Sequence, residues 1–255
     1  MAVSSAAPSP VAEREYVFQG RRVTFPVEVR DAASGAATYL VRSAAARRLL
    51  PGEELDVVEI LPGQTLLSIA IIDYRDNDLG DYNEVSIAFF VRRRGERGSL
   101  PVPYLGSAVD FFRNSIPTFI WKLPVNQSFT CEAGVGIWGF PKTVEQIDFE
   151  DAGDRRTGRL VMEHQHVLTL SVPRGGEREL PEAPMVCYSY IDGALHRTRF
   201  TGGAHGFGFT LGGADLILGP HPIADDLRSL GLPKRPLMSV WMEHQYARFD
   251  RPEKL

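Results

Sequence analysis

Lys142 stands out by residue type before anything else is known. The chain carries four lysines against twenty-four arginines, and Lys142 closes the stretch Gly134-Val135-Gly136-Ile137-Trp138-Gly139-Phe140-Pro141-Lys142-Thr143. Arginine stays protonated and cannot serve as an amine nucleophile, whereas a desolvated lysine loses its proton and attacks a carbonyl carbon. The other lysines have ordinary settings. Lys122 sits between Trp121 and Leu123-Pro124, Lys234 lies in the basic turn Pro233-Lys234-Arg235-Pro236, and Lys254 is next to the last residue. At pH 7 a lysine of ordinary pKa is neutral to only about 0.04%. Amine chemistry at Lys142 therefore needs an environment that shifts it.

Other residue patterns offer chemistry and withhold it. Gly134-Val135-Gly136-Ile137-Trp138-Gly139 spells G-x-G-x-x-G. A dinucleotide fingerprint must open a helix whose N-terminus receives the pyrophosphate. Phe140-Pro141 follows at once, and the preceding residues alternate like a strand. The glycines are expected to let a strand bend or approach a ligand closely. His164-Gln165-His166 sets two imidazoles on one face of an alternating segment. Core histidines and pocket-lining histidines both fit that face, and a metal would need further ligands that nothing nearby supplies. Cys131 and Cys187 lie in apolar segments without metal-ligand spacing and read as reduced core thiols. The acidic stretch 75–81 lacks the spacing of a calcium loop and reads as a solvated turn.

The elements that must position these residues are mostly strands. Strand patterns cover residues 22–30, 55–60, 65–73 and 85–91, the last opened by Tyr82-Asn83-Glu84. Strand character resumes at Ser128 and runs into the lysine stretch. Residues 160–172 read as one long strand with Leu160, Met162, His164, His166, Leu168, Leu170 and Val172 on one face. Further strands are expected at 185–191, 196–201, 214–218 and 238–247. Helices are few. Residues 43–50 form a short one that Ser43 can cap and Pro51-Gly52 stops. Residues 103–116 carry Ala108, Phe111, Phe112 and Ser115 at helical spacing. The clearest runs from His221-Pro222 to Gly231, with Ile223, Leu227 and Leu230 as its buried stripe.

Composition bounds the function. A chain of 255 residues with 44% hydrophobic and 24% charged residues suits a globular domain with a substantial core. Residues 1–12 are small, polar and proline-bearing, and a mobile tail is expected there, with residues 13–255 as one domain. A net charge of −4 argues against a nucleic-acid surface, and Arg92-Arg93-Arg94 is a short solvated run. No apolar run is long enough for a membrane span, and the first 15 residues lack a signal-peptide pattern. A cytoplasmic protein is expected.

Three stretches together carry a family resemblance. Gly139-Phe140-Pro141-Lys142 resembles the segment that presents the Schiff-base lysine in the acetoacetate decarboxylase superfamily. Asp81-Tyr82-Asn83-Glu84 resembles the segment whose glutamate faces the reacting carbonyl. Gly219-Pro220-His221-Pro222-Ile223-Ala224-Asp225-Asp226-Leu227, with Gly231-Leu232-Pro233, resembles its last helix and turn. The resemblance implies a mainly β (α+β) fold, a cone-like closed β-barrel with a few short peripheral helices, in a homo-oligomer. It implies a lysine Schiff base at Lys142 with no metal or organic cofactor, Glu84 as general acid or base, and a small carbonyl compound as partner. Trp138, Phe140, Tyr82 and His164 are the candidate substrate-binding residues.

Two departures qualify the substrate. The decarboxylases have two consecutive lysines where this chain has Lys142-Thr143, and an Arg-Glu pair where it reads Val135-Gly136. The known device of acetoacetate decarboxylase is a lysine activated by desolvation and a neighbouring cation. Without the second lysine, burial alone is expected to depress the pKa of Lys142, and a lysine at position 143 to depress it further. Schiff-base chemistry on a keto acid or related carbonyl is expected, by aldol condensation and dehydration or by decarboxylation. Acetoacetate decarboxylase proper and a non-catalytic barrel holding a hydrophobic small molecule remain the alternatives.

Overall fold

A computed structural model of the chain describes residues 15–255 apart from 101 and 103, so the tail expected over 1–12 lies outside the described residues. In chain order the elements are β1 (Tyr16–Phe18), β2 (Arg21–Val23), β3 (Val27–Arg42), α1 (Ser43–Leu49), β4 (Leu55–Val57), β5 (Glu59–Leu61), β6 (Gln64–Asn77) and β7 (Tyr82–Arg93). There follow α2 (Leu105–Phe112), β8 (Thr118–Val125), α3 (Ser128–Trp138), β9 (Lys142–Val144), β10 (Gln146–Ala152), β11 (Arg155–Met162) and β12 (Gln165–Pro173). The chain ends with β13 (Arg178–Ile191), β14 (Ala194–Leu211), β15 (Asp215–Leu218), α4 (Pro222–Leu230), β16 (Met238–Phe249) and β17 (Glu253–Lys254).

Seven of these strands close on themselves in the order β7-β6-β3-β16-β14-β13-β8 and back to β7. Only the β13–β8 contact in this ring is parallel. Closure leaves the ring without a free edge. Register shifts in the β13–β14, β16–β3 and β3–β6 pairings bend the long strands round it. A separate four-stranded sheet, β10-β11-β12-β15, packs on one face of the wall. Leu160, Leu168, Leu170 and Val172 of that sheet bury against Ile69, Ile71, Val85, Ile87 and Phe89, and α1 and α4 add Ala46, Leu227 and Leu230. Each such fully buried aliphatic stabilises the fold by about 1.5–3 kcal/mol. A seven-stranded barrel has no room for a second sheet, so this core is external. Strand alternation then turns Tyr82 and Glu84 to the inner face, where a smaller cluster gathers Tyr82, Leu123, Val125, Ala133, Ile137, Trp138 and Phe140.

Several expectations change. The long strand over 160–172 is a hairpin, β11 and β12, turning at Glu163-His164 with φ of 49° and 62°. The strand expected from Ser128 is helix α3. In α2 the stripe of Ala108, Phe111, Phe112 and Ser115 is not the buried one. Gly106 and Asp110 are buried, Phe112 is 76% exposed, and Asp110 is tied to Arg92 and Ser99. Ser43 does not cap α1; Arg42 holds the cap position and the Ser43 hydroxyl is buried without a partner. Helix α4 forms as expected, with His221 Nδ1 accepting from the Ile223 amide (3.1 Å) and Gly231 ending it.

Candidate active site

Three elements converge on one nitrogen. β7 supplies Tyr82 and Glu84, two residues apart and therefore on the same face. The short β9 begins with Lys142, which lies beside Leu123 of β8 in parallel register. Helix α3 supplies Thr130. Its N-cap is Gln127, whose side-chain oxygen accepts from the Thr130 amide (2.7 Å), while Gln127 Nε2 donates to the Leu79 carbonyl (3.3 Å). One glutamine thus joins the first turn of α3 to the β6–β7 loop. At the other end Gly139, at φ 64°, donates its amide to the carbonyls of Gly134 and Val135 and terminates the helix. The chain then reverses through Phe140-Pro141, and the Pro141 carbonyl accepts from the Leu123 amide (3.3 Å).

This reversal lays the lysine stem flat on the helix. A Cβ built on Gly134 would stand 2.6 Å from Lys142 Cδ and 2.8 Å from Cε. The G-x-G-x-x-G string therefore lies within and closes a helix rather than opening one. It leaves space for the lysine, and a nucleotide-binding reading has no support.

Lys142 Nζ lies 2.9 Å from Glu84 Oε2 and 3.1 Å from Thr130 Oγ1, with side chains at 142 and 84 only 4% and 5% exposed. Its third contact is Tyr82, whose ring centroid lies 4.8 Å from Nζ. Tyr74 stacks on Tyr82 with centroids 4.4 Å apart and donates from its hydroxyl to Glu84 Oε1 (3.4 Å). Burial opposes the charged amine, but Glu84 and then Tyr82 outweigh it and hold the Lys142 pKa above the ordinary lysine value. The expected depression is thus overturned for the resting site. It rested on desolvation alone; burial is the largest single influence, but Glu84 and Tyr82 together exceed it. Burial likewise pushes the Tyr82 phenol up against the pull of Lys142, and pushes Tyr74 well above its usual value with help from Glu84. Both phenols keep their protons at neutral pH.

The remaining expectations separate. Trp138 and Phe140 are buried and stack on each other at 5.6 Å within the inner cluster, and the Trp138 indole donates to the Asp250 carbonyl (2.9 Å). They form the apolar wall next to the site and make no polar contact with Nζ. His164 is exposed at the tip of the β11–β12 turn, on the external sheet, so the site does not contain it. His166 Nε2 lies 2.8 Å from Thr169 Oγ1. Thr143 is exposed, on the opposite side of β9 from Lys142, and a lysine there would face away from the amine. Val135 is exposed, and Gly136 packs against Phe18. The residues that replace the decarboxylase charges therefore point away from the site. Sequence reasoning missed Thr130, Gln127 and Tyr74. Gln127 three residues ahead of Thr130 is a capping spacing, readable only once a helix is recognised there.

The fold has known counterparts. Acetoacetate decarboxylase from Legionella pneumophila superposes with a TM-score of 0.65 at 17% identity, covering 99% of this chain and 98% of that one. The enduracididine biosynthesis enzyme MppR, complexed with the condensation product of pyruvate and imidazole 4-carboxaldehyde, gives 0.58 at 16%, covering 97% and 98%. An acetoacetate decarboxylase-like enzyme from Sphingomonas wittichii RW1 gives 0.57 at 14%, covering 98% and 100%. No curated protein matches in sequence. The family model for acetoacetate decarboxylase matches residues 9–251, and with the closed seven-stranded barrel and its buried lysine this chain belongs to the acetoacetate decarboxylase family.

Proposed function

We propose that the chain is a Schiff-base lyase acting on a keto acid or related carbonyl, with Lys142 as nucleophile and Glu84 as general acid–base. The observation that carries this reading is the buried ion pair itself. A lysine that only reaches solvent along its stem would not end against a carboxylate, a threonine hydroxyl and a tyrosine on the inner wall of a barrel.

The chemistry follows from the contacts. When a carbonyl compound enters, the Lys142 ammonium gives a proton to Glu84, and the freed amine attacks the carbonyl carbon. The former carbonyl oxygen leaves as water, with one proton from the attacking nitrogen and one taken back from Glu84. Glu84 then stands as a carboxylate beside an iminium cation. That cation is an electron sink for the neighbouring bond, which serves decarboxylation and aldol condensation with dehydration alike. Both courses have counterparts among the proteins that share this fold: acetoacetate decarboxylase, and MppR, whose structure holds a condensation product of pyruvate. We read the protein as cytoplasmic and homo-oligomeric, independent of metal and organic cofactor, with a small carbonyl compound as partner and neither nucleic acid nor membrane.

The test is borohydride reduction in the presence of pyruvate or acetoacetate. A single mass addition on Lys142 is expected, absent from Lys142→Ala. Labelling that persists in Lys142→Ala rejects the assignment, and no labelling of the wild type leaves a non-catalytic barrel.

A further inference from the structure

The Lys142 ammonium has three N–H bonds and three neighbours that can receive them: Glu84 Oε2 at 2.9 Å, Thr130 Oγ1 at 3.1 Å and the Tyr82 ring, its centroid 4.8 Å from Nζ. On the Schiff-base reading above, on which this inference rests, those bonds are lost in sequence. The ammonium has three, the free amine two and the iminium one. Glu84, the anionic acceptor, receives the first proton. Tyr82 is the natural partner of the last N–H, because it is locked between Tyr74 and the lysine and keeps its own proton. The second proton leaves nitrogen only after the bond to carbon has formed, and it needs an acceptor that returns a proton in the same step.

Thr130 has that property. It is fully buried, and its backbone is fixed by Gln127 through the amide at 2.7 Å. A hydroxyl accepts through a lone pair while its own hydrogen rotates to another acceptor. A valine would fill the same space, and burying a hydroxyl there stabilises nothing unless it is used as a partner.

We propose that Thr130 is the proton relay of the carbinolamine stage, its hydroxyl accepting the second proton from the Lys142 nitrogen while passing its own to the former carbonyl oxygen. The N–H bond breaks as an O–H bond forms on Thr130, and the Thr130 O–H bond breaks as one forms on the substrate oxygen. The C–O bond then breaks with the proton from Glu84, and the nitrogen lone pair closes C=N. Of the three ammonium protons, one reaches the water through Glu84, one replaces the proton that Thr130 gave to that water, and one remains on the iminium. Thr130 ends unchanged.

The experiment follows the rate of Lys142 labelling by pyruvate and borohydride across a pH series in wild type, Thr130→Val, Thr130→Ala and Thr130→Ser. Loss of the hydroxyl is expected to lower the maximal rate about 10²-fold. It should also move the half-maximal pH downward, because an acceptor that favours the ammonium is gone. Serine should restore both. Folded Val or Ala variants that label at the wild-type rate overturn the relay while leaving the Schiff base in place, and so does a serine variant as slow as valine. A wild type that never labels overturns the Schiff-base reading itself. Should the Val and Ala variants fail to fold, a proton inventory on the wild type decides. Two protons moving through Thr130 give a curved dependence on deuterium fraction, and a straight line rejects the relay.

Discussion

Glu84 sets the charge state of Lys142, and replacing it separates two roles. In Glu84→Gln the strongest influence holding the amine protonated is removed, while burial, which disfavours the ammonium, stays. The Lys142 pKa should fall, so acylation of Lys142 by a small amine-directed reagent, read by mass, should begin at lower pH than in wild type. Turnover should nevertheless drop by roughly 10²–10⁴, the range for losing a general acid–base. Turnover unchanged beside a shifted acylation profile would return Glu84 to a purely electrostatic role. The same substitution has a stability signature. Lys142 has a folded pKa above its unfolded value, so its pairing with Glu84 contributes fully below about pH 10.4 and is lost as pH rises through the folded value. The melting-temperature difference between wild type and Glu84→Gln should therefore be constant through neutrality and shrink on the alkaline side.

At the scale of elements, α3 decides where the lysine goes, and it was the element least legible in the sequence. Lys142 could be read from its scarcity and its aromatic-proline setting, and Glu84 from the family resemblance of Asp81-Tyr82-Asn83-Glu84. Helix α3 could not, because Gly134 and Gly136 lower helix propensity and the residues alternate in polarity. Gln127 at one end and Gly139 at the other hold the helix, and neither is persuasive before the tertiary contacts are known. The β11–β12 turn hid for a related reason. Glu163 and His164 adopt positive φ without glycine or asparagine, and the alternation continues in phase across a two-residue loop. Strand β8 was missed because Pro124 interrupts it. Gly134 gives the test at this scale. Gly134→Ala should gain about 1 kcal/mol of helix propensity, yet its Cβ would meet the flexible Lys142 stem at 2.6 Å. Stability should stay within about 1 kcal/mol of wild type while iminium formation slows on the order of 10²-fold, the effect of misplacing a reacting group by an ångström. Wild-type labelling kinetics in Gly134→Ala would show that the stem has room to move.

For the whole molecule the question is what fixes the external sheet to the barrel, since the larger apolar core lies between them. Arg156 of β11 is the ionic pin. It is 8% exposed and reaches Asp73 of β6 at 2.9 Å and Asp151 of β10 at 2.7 Å, with its guanidinium 5.3 Å from the ring centre of the buried Trp241 of β16. The Trp241 indole donates to Glu243 (3.1 Å), which pairs with Arg75 (2.8 Å), so the contact joins a wider network. Arg156→Ala leaves carboxylates in a partly buried setting and removes packing from Trp241. The expected cost is about 3 kcal/mol, the lower end for breaking a buried pair, because Asp151 keeps some access to water. The control is Arg30→Ala, whose pairs with Asp76 and Asp78 lie at the surface and should move the urea midpoint far less. Equal shifts in the two variants would mean that the apolar core alone holds the sheet. The pH dependence runs opposite to that of the lysine site. The hydrogen bonds from Arg156 hold the Asp151 carboxyl below its usual value, so this contribution is present above about pH 3.9 and lost as pH falls through the folded value. The gap between wild type and Arg156→Ala should hold at neutral pH and narrow in acid, as protonation of Asp151 removes from the wild type the part of the cost that this carboxylate carries, while the packing on Trp241 remains.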